Sequence, residues 1–146
     1  AQGQTHSHLI AAPSLTQFAC AQTAQTAFAQ AGLSPADIDV AEIYDSFTIT
    51  LVVQLENMGF FAPGQAGAAI AAGALERDGT LPCNTHGGML SHGGPGIAGG
   101  LMHVVEAVTQ LRHVAGDRQV ADAESAFVHG EGGVMSTHCS LVLGRR

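Results

Sequence analysis

The chain has 146 residues, enough for one domain with a sizeable core. Twelve acids face five arginines (Arg77, Arg112, Arg118, Arg145 and Arg146), with no lysine, and the net charge of −7 excludes a basic nucleic-acid surface. No apolar run reaches membrane-spanning length, since the stretch 64–73 is short and broken by glycine. No signal peptide opens the chain, and three cysteines (Cys20, Cys83 and Cys139) without CxxC spacing read as reduced thiols of a cytoplasmic protein. Sparse charge with 19 glycines suggests a domain heavily buried in a larger assembly.

Residues 1–12 form a polar opening, a strand end or a loop, with His6 and His8 solvated. Ser14 with Gln17 reads as a capping box, so a helix is expected to Ala31, stopped by Gly32 and burying Phe18, Ala21, Ala24 and Phe28. Ser34-Pro35-Ala36-Asp37 is a capped turn, because proline fits the first helical position. Ile38 to Ile43 follows as a strand. Between Ser46 and Met58 the β-branched residues favour strand, but the length, the candidate caps Asp45 or Ser46 and the stop at Gly59 favour helix. Residues 60–80 form an excursion with one short helix, and Leu81 to Asn84 a short strand. Leu101, Val104, Val105, Val108 and Leu111 share one face of a helix ending near Gly116. Strands at 123–128 and 137–143 flank His129-Gly130-Glu131-Gly132-Gly133. The alternation predicts an α/β domain, a mixed, mainly parallel sheet with helices packed on it.

Three strands end in polar punctuation: Tyr44-Asp45-Ser46-Phe47, the loop Asn84 to Pro95, and His129-Gly130-Glu131. Ligands of open α/β sheets sit beyond the carboxyl ends of strands, so Tyr44, His86 or His92, and His129 are expected to converge on one pocket. Tyrosine and histidine exchange protons near neutral pH once tuned. In the loop, four glycines, two histidines and Asn84 can hold a ligand oxygen against backbone N–H groups and imidazoles. His103, His113 and His138 lie in or beside regular elements and read as structural. No HxxxH or CxxC pair occurs, so no metal is expected. The absence of a G-x-S-x-G elbow argues against a serine hydrolase.

The order and spacing of these motifs resemble the C-terminal half of the thiolase superfamily, nearest the sterol-carrier or lipid-transfer type. The resemblance runs from about Ser14 to Leu143. It implies one half of a five-layered αβαβα sandwich, residues 1–146 being the thiolase-like C-terminal domain, with the nucleophilic cysteine in an N-terminal half on the same or another chain. It also implies a homodimer acting on an acyl-CoA, with coenzyme A as part of the substrate and no separate cofactor. By position, Tyr44 stands where the family holds the thioester oxyanion. Gly94, in Gly93-Gly94-Pro95, replaces the histidine that activates the cysteine, and His92 lies two residues earlier. His129, with Gly130 and Glu131, stands at the acid/base motif. The resemblance thus implies an enzyme that makes or breaks a C–C bond beside a thioester. One version is an acyltransferase of thiolase type. Another is a retro-aldolase using Tyr44 and His129, which works with a small OB-fold partner. A third possibility is a non-catalytic acyl-CoA-binding, lipid-binding or dimerisation module. Tyr44, His129 and His92 are the catalytic candidates, and Asn84, His86, Gly94, Gly130 and Glu131 the substrate-binding ones.

Overall fold

The structure is a computed structural model that describes residues 1–94 and 98–145. Pro95, the end of the glycine loop, lies outside them. The elements are β1 (Gln2–Gln4), α1 (Cys20–Ala31), β2 (Val40–Ile43), α2 (Thr48–Asn57), α3 (Ala66–Ala71), α4 (Gly88–His92), α5 (Gly100–Leu111), β3 (Ser125–Gly132) and β4 (Thr137–Gly144). The strands form a mixed sheet in the order β1-β4-β3-β2, as expected for an α/β domain, but two of its three pairings are antiparallel, so it is not mainly parallel. β2 and β3 run parallel, and Cys83 bridges in parallel to Ala41 on the free side of β2. β3 and β4 form an antiparallel hairpin, and β1 adds antiparallel to β4.

Side chains alternate across the sheet, so each strand serves two cores. Ala41, Ile43 and Phe127 pack with Phe28 and Leu55 against α1 and α2. Val40, Ala126 and Val128 pack with Ala107 and Leu111 of α5 on the other face. The first helix begins at Cys20 rather than Ser14. Ser14 Oγ does accept the N–H groups of Thr16 and Gln17, but the chain turns again before the helix starts. Gly32 ends α1 in the left-handed region, φ 69°. Ala21 faces solvent, and Thr23 and Ala27 take the buried stripe with Ala24 and Phe28. Ser34 and Asp37 close their turn, with Ser34 N–H and Oγ–H both donating to Asp37 Oδ2 and the Asp37 N–H donating back to the Ser34 carbonyl.

Residues 48–57 are helical. Thr50 Oγ1 accepts the Phe47 N–H and serves as the start signal, while Asp45 turns to another task. The expected seam of α5 is rotated. Leu111 is buried, but Leu101 is 64% and Val105 58% exposed, and the face on the sheet carries His103, Glu106, Ala107 and Gln110. The helix stops at Leu111, earlier than Gly116. His6 is buried rather than solvated, its Nε2 3.3 Å from the Val134 carbonyl. Among the described residues, no helix is long and apolar enough to cross a membrane.

Candidate functional site

The end of β2 presents Glu42 and Tyr44 on the α5 side. Asn84, left-handed at φ 51°, pins this end. Its Oδ1 accepts the Ile43 N–H at 2.7 Å and its Nδ2 donates to the Ile43 carbonyl at 2.9 Å, extending the strand's pairing with a side chain. Asn84 thereby orients the loop that follows. The loop folds back as α4, whose first N–H groups point at Asp45. Met89 N–H donates to Oδ1 at 2.6 Å and Leu90 N–H lies 3.4 Å from Oδ2. A Cβ at Gly88 would overlap that carboxylate, and the backbone there has φ +67°, so glycine is required twice over.

This fold-back gathers four rings. Tyr44 and His103 have ring centroids 5.9 Å apart, His103 and His86 5.0 Å, and His86 and His92 5.3 Å. Glu42, fully buried, lies at the centre. Its Oε2 is 2.9 Å from His86 Nδ1 and 3.5 Å from His103 Nδ1. Its Oε1 accepts the Thr85 N–H at 3.0 Å and its hydroxyl at 2.9 Å. The same hydroxyl lies 2.8 Å from Glu106 Oε1, so one proton serves two carboxylates. Arg118 pairs with Glu106 at 2.9 Å. Burial pushes the Glu42 pKa up, but His103, His86 and Thr85 outweigh it, and the carboxyl titrates below its usual range. Burial likewise disfavours the His86 cation, and Glu42, with Glu106 and Asp45 beyond it, more than compensates, raising its pKa. His92 is exposed, and its Nδ1 lies 3.4 Å from the His86 carbonyl. His86 and His92 line a cavity of about 260 Å³ with Met102, Val105, Glu106 and Arg118.

His129 does not join this group. Two residues after Phe127, it shares that residue's face on the α1 side of the sheet, fully buried, and its backbone carbonyl accepts the Tyr44 N–H at 2.9 Å. Its Nε2 is 3.1 Å from His138 Nδ1 and its Nδ1 2.9 Å from Ser140 Oγ. His138 Nε2 meets the Met135 carbonyl at 3.0 Å. A carbonyl only accepts, so His138 donates from Nε2, His129 donates to His138 Nδ1, and Ser140 donates to His129 Nδ1. The chain is satisfied with both imidazoles neutral. Burial first, then the neighbouring His138 and His103, push the His129 pKa down to about 3. The expected single pocket of Tyr44, loop histidine and His129 therefore divides in two, because strand alternation sends residues 42 and 129 to opposite faces.

The remaining candidates are turn and loop positions. The Glu131 carboxylate accepts the Met135 N–H and closes the β3–β4 turn. Gly130 continues β3 opposite Cys139, with open space where a Cβ would stand. Gly94 is exposed, its nearest neighbour Met89 Cε at 3.7 Å from an added Cβ. Cys20 is buried and pushed up to about 12, burial raises Cys83 well above the usual thiol range, and Cys139 is exposed on β4. Glu42, Thr85, His103 and Glu106 were not anticipated. Their signals were a lone acid inside the apolar run Val40 to Ile43, and a polar stripe at 103, 106 and 110 as regular as the apolar one.

A polar, imidazole-rich centre thus lies at the carboxyl end of the parallel strand pair of an α/β domain with a mixed sheet. The chain belongs to the thiolase family: residues 1–145 match the family described as thiolase C-terminal domain-like. It is 38% identical to an acetyl-CoA acetyltransferase of Methanothermobacter thermautotrophicus over 127 residues, which are 87% of this chain and 33% of that protein. It is 42% identical to a 17-hydroxy-3-oxo-4-pregnene-20-carboxyl-CoA lyase of Mycobacterium tuberculosis over 117 residues, 80% of this chain and 29% of that one. The solved structure of an Ltp2-ChsH2(DUF35) aldolase superposes with a TM-score of 0.84 at 36% identity, covering 99% of this chain and 38% of that one. The chain thus spans about a third of the length of these relatives.

Proposed function

We propose that this domain is the C-terminal half of a thiolase-like enzyme that cleaves a β-hydroxyacyl-CoA by a retro-aldol step. The supporting observation is the row of rings Tyr44–His103–His86–His92 at the carboxyl end of β2, while burial keeps protonated the thiols of Cys83 and of Cys20, the latter on the other face of the sheet. The relatives named as lyase and aldolase point the same way. A retro-aldol cleavage needs no covalent nucleophile. A base removes the proton of the β-hydroxyl, and its electron pair forms the ketone C=O as the Cα–Cβ bond breaks. The pair left on Cα spreads into the thioester as an enolate, and an acid returns a proton to carbon. Nδ1–H of His92 turned to the His86 carbonyl leaves Nε2 as the basic nitrogen. Tyr44, on the opposite side of the row, supplies the acid. Its backbone is held by the His129 carbonyl and by Gln54, whose Nε2 donates to the Tyr44 carbonyl at 3.0 Å. His129, neutral and buried on the other face, supports the strand end instead of exchanging protons with substrate.

The exposed Leu101 and Val105 on α5 are where an N-terminal thiolase half packs in this reading, closing the site over the acyl-CoA within a homodimer. In this reading a small OB-fold partner completes the assembly, and the superposing aldolase, whose name joins Ltp2 with ChsH2(DUF35), supports a partner protein. The acetyltransferase relative keeps the thiolase-type reaction as the second reading, with its cysteine on the N-terminal half. The two part in one assay. Incubating the full-length protein and its partner with a β-hydroxyacyl-CoA should release a ketone and a shortened acyl-CoA without added coenzyme A. Turnover of a β-ketoacyl-CoA only when free coenzyme A is present would instead establish the thiolase reaction. Binding of both thioesters without turnover would leave an acyl-CoA-binding module.

A further inference from the structure

We propose that Glu42, His86 and His103 bind one divalent transition-metal ion of the zinc type. Among the described residues, seven buried side-chain nitrogen and oxygen atoms lack an aligned hydrogen-bond partner. Five of these belong to this trio: Glu42 Oε2 and both ring nitrogens of His86 and of His103. Their close approaches, 2.9 and 3.5 Å to Oε2, are therefore contacts of charge and distance, with the lone-pair atoms converging on one point. All three donor atoms lie within 4.8 Å of one another. Ligands at about 2.0–2.1 Å from a tetrahedral ion stand about 3.4 Å apart, which is the scale of this gap. Two imidazoles and one carboxylate on three separate elements, with a fourth position free, form a donor set that suits zinc.

The second layer matches as well. Thr85 occupies Glu42 Oε1 through two hydrogen bonds and leaves Oε2 for the ion. His103 turns Nδ1 to Glu42, while its Nε2 lies 4.0 Å from Asp45 Oδ1, beyond hydrogen-bond distance. The charge balance asks for the same ion. Glu42, Asp45 and Glu106 are all buried, and Arg118 pairs with Glu106 alone, leaving two formal negative charges around two imidazoles. One divalent cation neutralises them with both rings uncharged. Sequence spacing gave no hint of such a site, because the ligands are gathered from β2, the glycine loop and α5 only by folding.

This inference does not depend on the retro-aldol reading, and its test reads metal directly. Full-length protein, purified without its partner, is dialysed against a chelator, titrated with zinc, and assayed by elemental analysis, calorimetry and thermal melting. The expected result is one zinc per chain and a melting temperature raised by zinc. Glu42→Gln and His103→Gln should each bind at least tenfold more weakly while keeping the wild-type far-ultraviolet circular dichroism. Two outcomes overturn the proposal: wild-type protein holding less than a tenth of an equivalent, or both variants binding zinc as the wild type does. A variant that loses its fold is replaced by His86→Ala, the ligand nearest the cavity, for which the same tenfold loss is expected and undiminished binding again overturns the proposal.

Discussion

Acid should weaken this domain through His129, and the size of the effect follows from its surroundings. The residue is fully buried, its two nitrogens are engaged by His138 and Ser140, and its pKa falls from the ordinary value of 6.5 to about 3. The unfolded chain binds a proton near the ordinary value, whereas the folded chain refuses it until the pH is far lower. The stabilisation is therefore complete above pH 6.5 and is lost as the pH falls from there toward 3. At 1.36 kcal/mol per unit, this group alone accounts for about 2 kcal/mol between pH 7 and pH 5 and has a ceiling near 5 kcal/mol. His138 is lowered too and adds to the loss. His86 is raised and acts in the opposite sense, so the comparison must isolate position 129. Urea unfolding of wild type and His129→Gln at pH 7 and pH 5 does this, since glutamine keeps a donor and an acceptor without titrating. Wild type should lose about 2 kcal/mol more than the variant. Equal losses would refute the neutral, carbonyl-anchored chain from Met135 to Ser140.

Two substitutions test how the loop is held. Gly88→Ala combines a left-handed backbone with an overlap on the Asp45 carboxylate and should cost about 3 kcal/mol in chemical unfolding, where a loss under about 1 kcal/mol would mean that α4 is not seated on Asp45. Asn84→Ala removes both hydrogen bonds to Ile43 from a residue at φ 51° and should cost about 2 kcal/mol by the same measurement. Neutral behaviour would show that the end of β2 is held by something other than Asn84.

Most of the fold was legible because local signals agreed with their surroundings. Gly32 stops α1, Ser34 with Asp37 closes a turn, and the length of residues 46–58 outweighed their β-branched side chains. The misreadings share a physical cause, namely that partners distant in sequence decided which side faced inward. The apolar stripe of α5 was read as its seam with the sheet. That seam is instead a polar stripe, His103, Glu106 and Gln110, which earns its burial by meeting Thr85, Arg118 and the buried Glu42. Asp45 appeared to be the cap of its own helix but serves α4, forty-odd residues on, and the cap of α2 falls to Thr50. Tyr44 and His86 were found from their places at a strand end and in a glycine loop. Glu42 and His103 were passed over because a residue inside a regular element carries no local sign of the cluster it joins. His129 was placed with Tyr44 on the strength of strand ends alone, and the two-residue alternation of a sheet puts it on the other face.

In the proposed retro-aldol cleavage, Tyr44 delivers the proton on this face of the sheet. The most direct test is Tyr44→Phe in the full-length enzyme with its partner, read by single-turnover kinetics and by binding of a β-hydroxyacyl-CoA. Loss of an acid worth 10²–10⁴ in rate predicts kcat reduced about a hundredfold or more with substrate affinity within about threefold of wild type. A kcat within about threefold of wild type would contradict the account and remove Tyr44 from the chemistry.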